Sequence, residues 1–222
     1  MSLRIRKLAE LVRPGLIPAD IGTDHGLLPI LLLEQGKAEK AYACDVAEGP
    51  LSQARENIAR HHLEGKVIPI RSNGFDEVPP DADAAIIAGM GCHTAIMIME
   101  KAEERISRLS QLILQVNDEV PLLRRWLADH SFVIARELTI EDRGHFYTVL
   151  DTCYGETGDV TERDLLFGRL SAIVDRKMWL RWANAESKRL NFVIERRGGS
   201  AELEHEKNLL LQAIGEMNEM NE

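Results

Sequence analysis

The chain has 222 residues, 45% of them hydrophobic, and a formal net charge of −9. That length suits one α/β domain with an appendage. No apolar run approaches the ~18 residues of a membrane span, and the overall acidity argues against a protein that coats nucleic acid through bulk charge.

Charge is unevenly distributed. Residues 1–13 carry Arg4, Arg6, Lys7 and Arg13 against Glu10 alone, with no apolar signal-peptide core. Strand-like runs follow at 16–21, 40–45, 67–71, 84–88, 110–116, 132–140 and 145–151, with helical patterns at 26–35, 49–62, 92–105 and 118–129. This alternation predicts a mostly parallel, Rossmann-like α/β sheet with helices on both faces. The last two strands meet across Glu141–Gly144 with no helix between them, so they read as an antiparallel hairpin at the sheet edge. Seven strands ending this way is the outline of a class I methyltransferase sheet. A dinucleotide dehydrogenase would continue its βα alternation.

Near residue 155 the composition changes. Tyr154–Asp159 reads as a linker, dividing a domain at 1–154 from a tail at 155–222. Beyond it Ile173, Leu180, Ala183, Ser187, Leu190 and Ile194 step at heptad intervals, Gly198–Ser200 breaks the run, and Leu203, Lys207, Leu210, Ile214 and Met217 resume it. This pattern predicts an antiparallel coiled-coil helical hairpin, with Trp179 and Trp182 as packing residues. Its first half is basic, with nine Lys and Arg against four acids over 163–197; its second half is acidic. A polyanion would face the first half.

Asp20, Gly22, Asp24, His25 and Gly26 lie where the first apolar run ends and a helical pattern begins. A strand, a tight turn and a helix N-terminus form the layout that receives a nucleotide-like ligand in a doubly wound sheet. The turn is not the pyrophosphate fingerprint, because Asp24 stands where a middle glycine would be. A carboxylate there repels a pyrophosphate and suits a cationic ligand such as S-adenosylmethionine. Asp45, about one βαβ unit later, is placed to grip ribose hydroxyls. Asn73-Gly74 follows the third strand, as an adenine contact or a simple turn. Gly89-Met90-Gly91 follows the fourth, where the backbone has to approach a ligand or substrate closely. Asn117 ends the fifth, as a helix N-cap or as an amide offered to a base. Tyr147 sits in the last strand. Cys92 lies at a helix N-terminus, which lowers a thiol pKa, but His93 beside it faces elsewhere, so Cys92 reads as lining the pocket. Cys44, Cys92 and Cys153 form neither a zinc pattern nor a disulfide framework, so no metal and a reducing, cytoplasmic setting are expected.

Asp20 to His25, Leu28 to Ile30, Glu48 to Pro50, Asn73-Gly74, Ala88 to Gly91, Leu112 to Gln115 with Asn117, and Trp126-Leu127 together resemble the bacterial tRNA adenine-22 N1-methyltransferases, the TrmK family. The resemblance spans nearly the whole chain. It implies an S-adenosylmethionine-dependent enzyme that methylates N1 of an adenine in the tRNA D-arm, with the coiled coil helping to hold tRNA. Four positions depart from the family pattern: Cys92 stands for a glycine, Val116 for a proline, Thr148 for a glutamate, and Asp45 for the glutamate that is usual on the second strand.

The adenine N1 lone pair is already nucleophilic, so positioning matters more than a general base. The N1 edge is hidden in a stem, so the base must be unpaired or flipped. Asp24 and His25 are expected to border the transfer point, Asn117 to contact the adenine N6 amine, and Tyr147 to border the base. Asp20, Gly22, Asp24, His25, Asp45, Asn73, Gly74, Gly89, Met90 and Gly91 are expected to hold the cofactor. The alternatives are a methyltransferase acting on another RNA or a small molecule, an NAD-binding oxidoreductase, and a non-catalytic scaffold. A monomer is expected, because the short break closes the hairpin within one chain.

Overall fold

The computed structural model describes residues 1–197 and 199–220; Gly198, part of the expected hairpin break, lies outside them. The strands are β1 (Pro18–Ile21), β2 (Ala41–Asp45), β3 (Val67–Arg71), β4 (Ala84–Met90), β5 (Gln111–Val116), β6 (Phe132–Asp142) and β7 (His145–Tyr154). They form one seven-stranded sheet in the order β3-β2-β1-β4-β5-β7-β6. β1 to β5 run parallel, and β7 inserts antiparallel between β5 and β6. The expected sheet and its terminal hairpin are both present. The hairpin turns in two residues, Arg143 and Gly144, both at positive φ (53° and 80°), which matches the right-handed twist of the strands.

The helices are α1 (Leu3–Leu11), α2 (Leu27–Glu34), α3 (Glu48–Arg60), α4 (Cys92–Lys101), α5 (Glu103–Ile106), α6 (Val120–Asp129), α7 (Glu162–Phe167), α8 (Arg176–Arg197) and α9 (Ala201–Glu219). Strand periodicity distributes them over the two faces. Ala85, Ile87, Leu112 and Leu114 pack with α4 and α6 through Cys92, Met99, Leu123 and Leu127. The alternate residues Ile86 and Ile113 pack with Leu8, Val12, Leu28 and Leu32 of α1 and α2. The expected helix at 92–105 breaks at Ala102 into α4 and α5.

α1 was not expected from the sequence. Ser2 caps it by accepting from the Ile5 amide (3.3 Å). Its C-terminal carbonyls are held by Lys37 Nζ, which donates to Ala9 O (2.7 Å), Glu10 O (2.7 Å) and Val12 O (3.0 Å). Buried Gln111 and Arg136 both donate to Leu11 O (3.0 and 2.8 Å). The helix is therefore bolted across the sheet at the end far from Arg4.

The chain leaves β7 at Tyr154 and reaches α7, whose Thr161 and Asp164 form a reciprocal capping box. α8 and α9 share a core of Trp179, Ala183, Leu190, Leu210, Ala213 and Met217, with Trp179 fully buried and donating to Phe167 O (3.0 Å). Ile173 joins this core but precedes α8 instead of starting its heptad run. No described helix is long and apolar enough to cross a membrane.

One buried ion pair joins the tail to the sheet. Arg124 of α6 donates to both Glu137 carboxylate oxygens on β6 (2.5 and 3.2 Å) and to Leu165 O and Leu166 O of α7 (both 3.0 Å). The two side chains are 3% and 2% exposed. Gly168 passes so close that a Cβ there would stand 2.6 Å from the Glu137 carboxylate. Removing one partner strands the other charge in the interior. Arg124→Ala is therefore expected to lower unfolding free energy by about 3–5 kcal/mol in a urea titration. A loss under about 1 kcal/mol would show that the pair is not what holds this joint.

Candidate active site

β1 ends in a turn built for close approach. Gly22 takes φ 77°, and its amide and that of Thr23 both donate to Cys44 O of β2 (2.8 and 2.9 Å). A Cβ on Gly22 would stand 3.0 Å from Met90 Cε, so the tip of the Met90 side chain packs on the bare Gly22 backbone. Asp20, Gly22 and Asp24 line a cleft together with Ala88 of β4 and Arg4 of α1. His25 Nε2 lies 3.1 Å from Asp24 Oδ1, both side chains being largely exposed. His25 itself holds φ 59°, with its carbonyl accepting from Asn57 Nδ2 (3.0 Å). Gly26 lies against α3, where a Cβ would meet Ala54 Cβ at 3.2 Å.

Along the same sheet edge, Asp45 ends β2. One of its carboxylate oxygens accepts from the Ala47 amide (2.7 Å). Asn73 and Gly74 follow β3 as an exposed turn in which Gly74, at φ 63°, packs on Ile98. Gly89, at φ 82°, sits in an irregularity between Ala88 and Met90 where the β4–β5 register shifts. Bulges re-aim side chains next to sites, and this one extends β4 past its expected end and sends Met90 over Gly22.

The candidate residues at the ends of β5 and β7 converge for a topological reason. β7 runs antiparallel to β5, so the start of β7 lies beside the end of β5. Tyr147 and Thr148 thus share a groove with Asn117, Pro121, and Trp182 and Arg189 of α8, about 560 Å³ in volume. Asn117 does not cap α6. Its Nδ2 donates to Gly89 O (2.9 Å) and its Oδ1 accepts from Gln115 Nε2 (3.2 Å), while Glu119 occupies the cap position at φ 45° without a side-chain cap bond. Sequence reasoning missed Arg4. It donates to Gln115 Oε1 (3.2 Å) and lies over the Tyr147 ring, 5.3 Å from its centroid.

The electrostatics correct one expectation. Cys92 is fully buried, and burial, followed by Glu119 and Asp118, pushes its thiol up to about 11. The helix N-terminus that would lower it is already served by Asp118 Oδ1, which accepts from the Cys92 amide (2.7 Å). Cys92 is an inert core thiol and does not line an open pocket. No described cluster of His, Cys, Asp or Glu has the makings of a metal site. Asp20 is also buried, and burial raises its carboxyl to about 6 against the hydrogen bond from Thr23 Oγ1 (2.6 Å).

A carboxyl raised on folding stabilises the fold while protonated and loses that contribution as pH climbs from about 4 through about 6. Asp20→Asn is accordingly expected to stabilise the ligand-free protein by about 2–3 kcal/mol at pH 7.5 and to bring no gain at pH 4, read from paired denaturation curves. Equal effects at both pH values would contradict the assignment.

A methyltransferase-domain family model matches residues 1–150. The tRNA (adenine(22)-N(1))-methyltransferase of Bacillus subtilis is 30% identical over 172 residues, 77% of this chain and 70% of that protein. A Streptococcus pneumoniae protein solved in complex with S-adenosyl-L-methionine is 31% identical, with a TM-score of 0.86 over 96% of this chain and 99% of its own. TrmK of M. capricolum, solved with S-adenosyl-homocysteine, is 26% identical, with a TM-score of 0.84 over 97% of this chain and 98% of its own. With this sheet order, this glycine-floored cleft and these relatives, the chain belongs to the TrmK family of tRNA (adenine-22-N1)-methyltransferases.

Proposed function

We propose that this chain transfers a methyl group from S-adenosylmethionine to N1 of adenine-22 in the D-arm of tRNA. The observation that carries this reading is the bridge between two spaces. Arg4 walls the cleft with Asp20, Gly22 and Asp24, and its guanidinium lies over the ring of Tyr147, which lines the groove with Asn117 and with Trp182 and Arg189 of α8.

The residues present fit the cofactor. Gly22 turns at φ 77° in the cleft wall with no side chain to fill it, and Asp45 keeps one carboxylate oxygen free of Ala47. Asp45 would hold the ribose hydroxyls, Asn73 and Gly74 the adenine side, and Asp20, Gly22, Asp24, His25 and Gly89 to Gly91 the methionine side. When bound, S-adenosylmethionine supplies an electrophilic methyl on a sulfonium. The chain's own work is then alignment, which is worth about 7–11 kcal/mol where geometry is good. Asp24 and His25 border the transfer point. Asp24 also offsets the positive charge that N1 gains, and no group need remove a proton from N1 beforehand. Asn117 and Tyr147 hold the unstacked base.

Residues 1–154 form the catalytic unit in this reading. Residues 155–222 form the helical unit, whose basic α8 meets the tRNA, with one chain acting as a monomer. Of the four departures, Asp45 ends β2, Cys92 is buried, and Val116 and Thr148 both line the groove, Val116 buried and Thr148 half-buried. Thr148 is therefore the departure best placed to touch substrate.

The test is label transfer from S-adenosylmethionine to unmodified tRNA transcripts bearing adenine or guanine at position 22. Label on the adenine transcript alone supports the reading. Label on both, or on neither while cofactor binding persists, overturns the assigned target. In the same assay Asp24→Ala is expected to lower kcat, and full turnover would remove Asp24 from the transfer point. Asp45→Ala is expected to weaken cofactor binding about tenfold to a hundredfold by calorimetry. An unchanged Kd would sink its ribose role.

A further inference from the structure

The N-terminal helix brings a donor-only cation, Arg4, to the wall of the cleft and over the Tyr147 ring of the groove. Arg4 Nη1 donates to Gln115 Oε1 (3.2 Å). The Gln115 amide nitrogen then donates to Val116 O (2.8 Å) and Asn117 Oδ1 (3.2 Å). The Asn117 amide nitrogen donates in turn to Gly89 O (2.9 Å). Gln115 is fully buried, whereas Asn117 is exposed. A carboxamide has two nearly isosteric ends and can turn over. A guanidinium offers only donors and a backbone carbonyl only an acceptor. Anchored by Arg4 at one end and Gly89 O at the other, both amides have a single orientation that satisfies every bond.

We infer that Arg4 is a positioning residue for base selection, setting the donor and acceptor polarity of Asn117 through Gln115. The inference rests on the tRNA-adenine reading above and deepens it. With its polarity set, Asn117 has one N–H and one oxygen lone pair left over. That pair matches the N6–H and N7 of adenine, the bidentate match of an Asn with that base, and it mismatches guanine, which shows two acceptors there. Reading adenine from that edge leaves N1 free for the methyl group. The Arg4 guanidinium also lies over Tyr147, holding the ring that walls the groove. Without Arg4, buried Gln115 Oε1 loses its partner, which is costly, and the amide has reason to turn.

The experiment measures binding of adenine-22 and guanine-22 transcripts by filter retention, alongside kcat and KM on the adenine transcript and cofactor Kd. Arg4→Met is expected to keep the far-ultraviolet circular dichroism of the unaltered chain, which shows the fold intact. It is expected to narrow the guanine-to-adenine Kd ratio about tenfold and to lower kcat/KM by a similar factor. Gln115→Glu is expected to do the same with Arg4 in place, because a carboxylate satisfies the guanidinium but has no N–H for Asn117. The double variant should be no worse than either single one, and Arg4→Lys should restore part of the ratio. An unchanged ratio in Arg4→Met, or fully additive losses, would overturn the inference. So would a salt slope that becomes shallower by about one with the ratio intact, which marks a direct phosphate contact. Wild-type protein inert on the adenine transcript would instead overturn the tRNA reading, and this inference with it.

Discussion

The site is organised around a turn whose left-handed backbone favours glycine. Gly22 turns at φ 77° under the tip of Met90, at a distance where a Cβ would stand 3.0 Å from Met90 Cε. The second glycine, Gly89, bulges β4 so that Met90 crosses over β1 and Asn117 can reach a backbone carbonyl. The end of β4 is thereby tied to the end of β5 through Asn117 and Gly89 O, and Arg4 spans from the cleft to Tyr147. Such constrained backbone costs stability, and the neighbouring positive φ values at His25 and Glu119 show the same constraint at both sides of the cleft.

The second organising fact is topological. A parallel strand after β5 would put its start at the far edge of the sheet. Inserting β7 antiparallel puts Tyr147 and Thr148 beside Asn117. The Arg124–Glu137 pair then fixes α7, and with it the start of the helical hairpin, against the same region of the sheet. The tail is therefore seated over the groove, and Trp182 and Arg189 of α8 form its outer wall.

The sheet was legible because its strands are short apolar runs separated by helical patterns, and because Glu141–Gly144 leaves no room for a helix. The glycine positions were legible because a glycine after a strand has few other uses. Asn117 was ambiguous in sequence, as cap or as presented amide. The structure removes the cap reading, since Glu119 takes that position. Cys92 was misjudged because a helix N-terminus predicts a low thiol pKa only where the thiol stays wet, and this one is buried. The basic residues of 1–13 were read as charge alone, although Ser2 and the spacing of Ile5, Leu8, Ala9 and Val12 are a capped amphipathic helix. That omission hid Arg4. No local signal would have paired it with Gln115, 111 positions away. The capping box at Thr161 and Asp164 was likewise visible and unused.

The most direct measurement is a crystal structure with S-adenosyl-homocysteine bound. The account predicts its ribose hydroxyls at Asp45, its amino-acid end at Asp20 and Gly22, and its sulfur facing the space between Asp24, Met90 and Asn117. A sulfur turned away from Asn117 and Tyr147, or a ribose out of reach of Asp45, would contradict it.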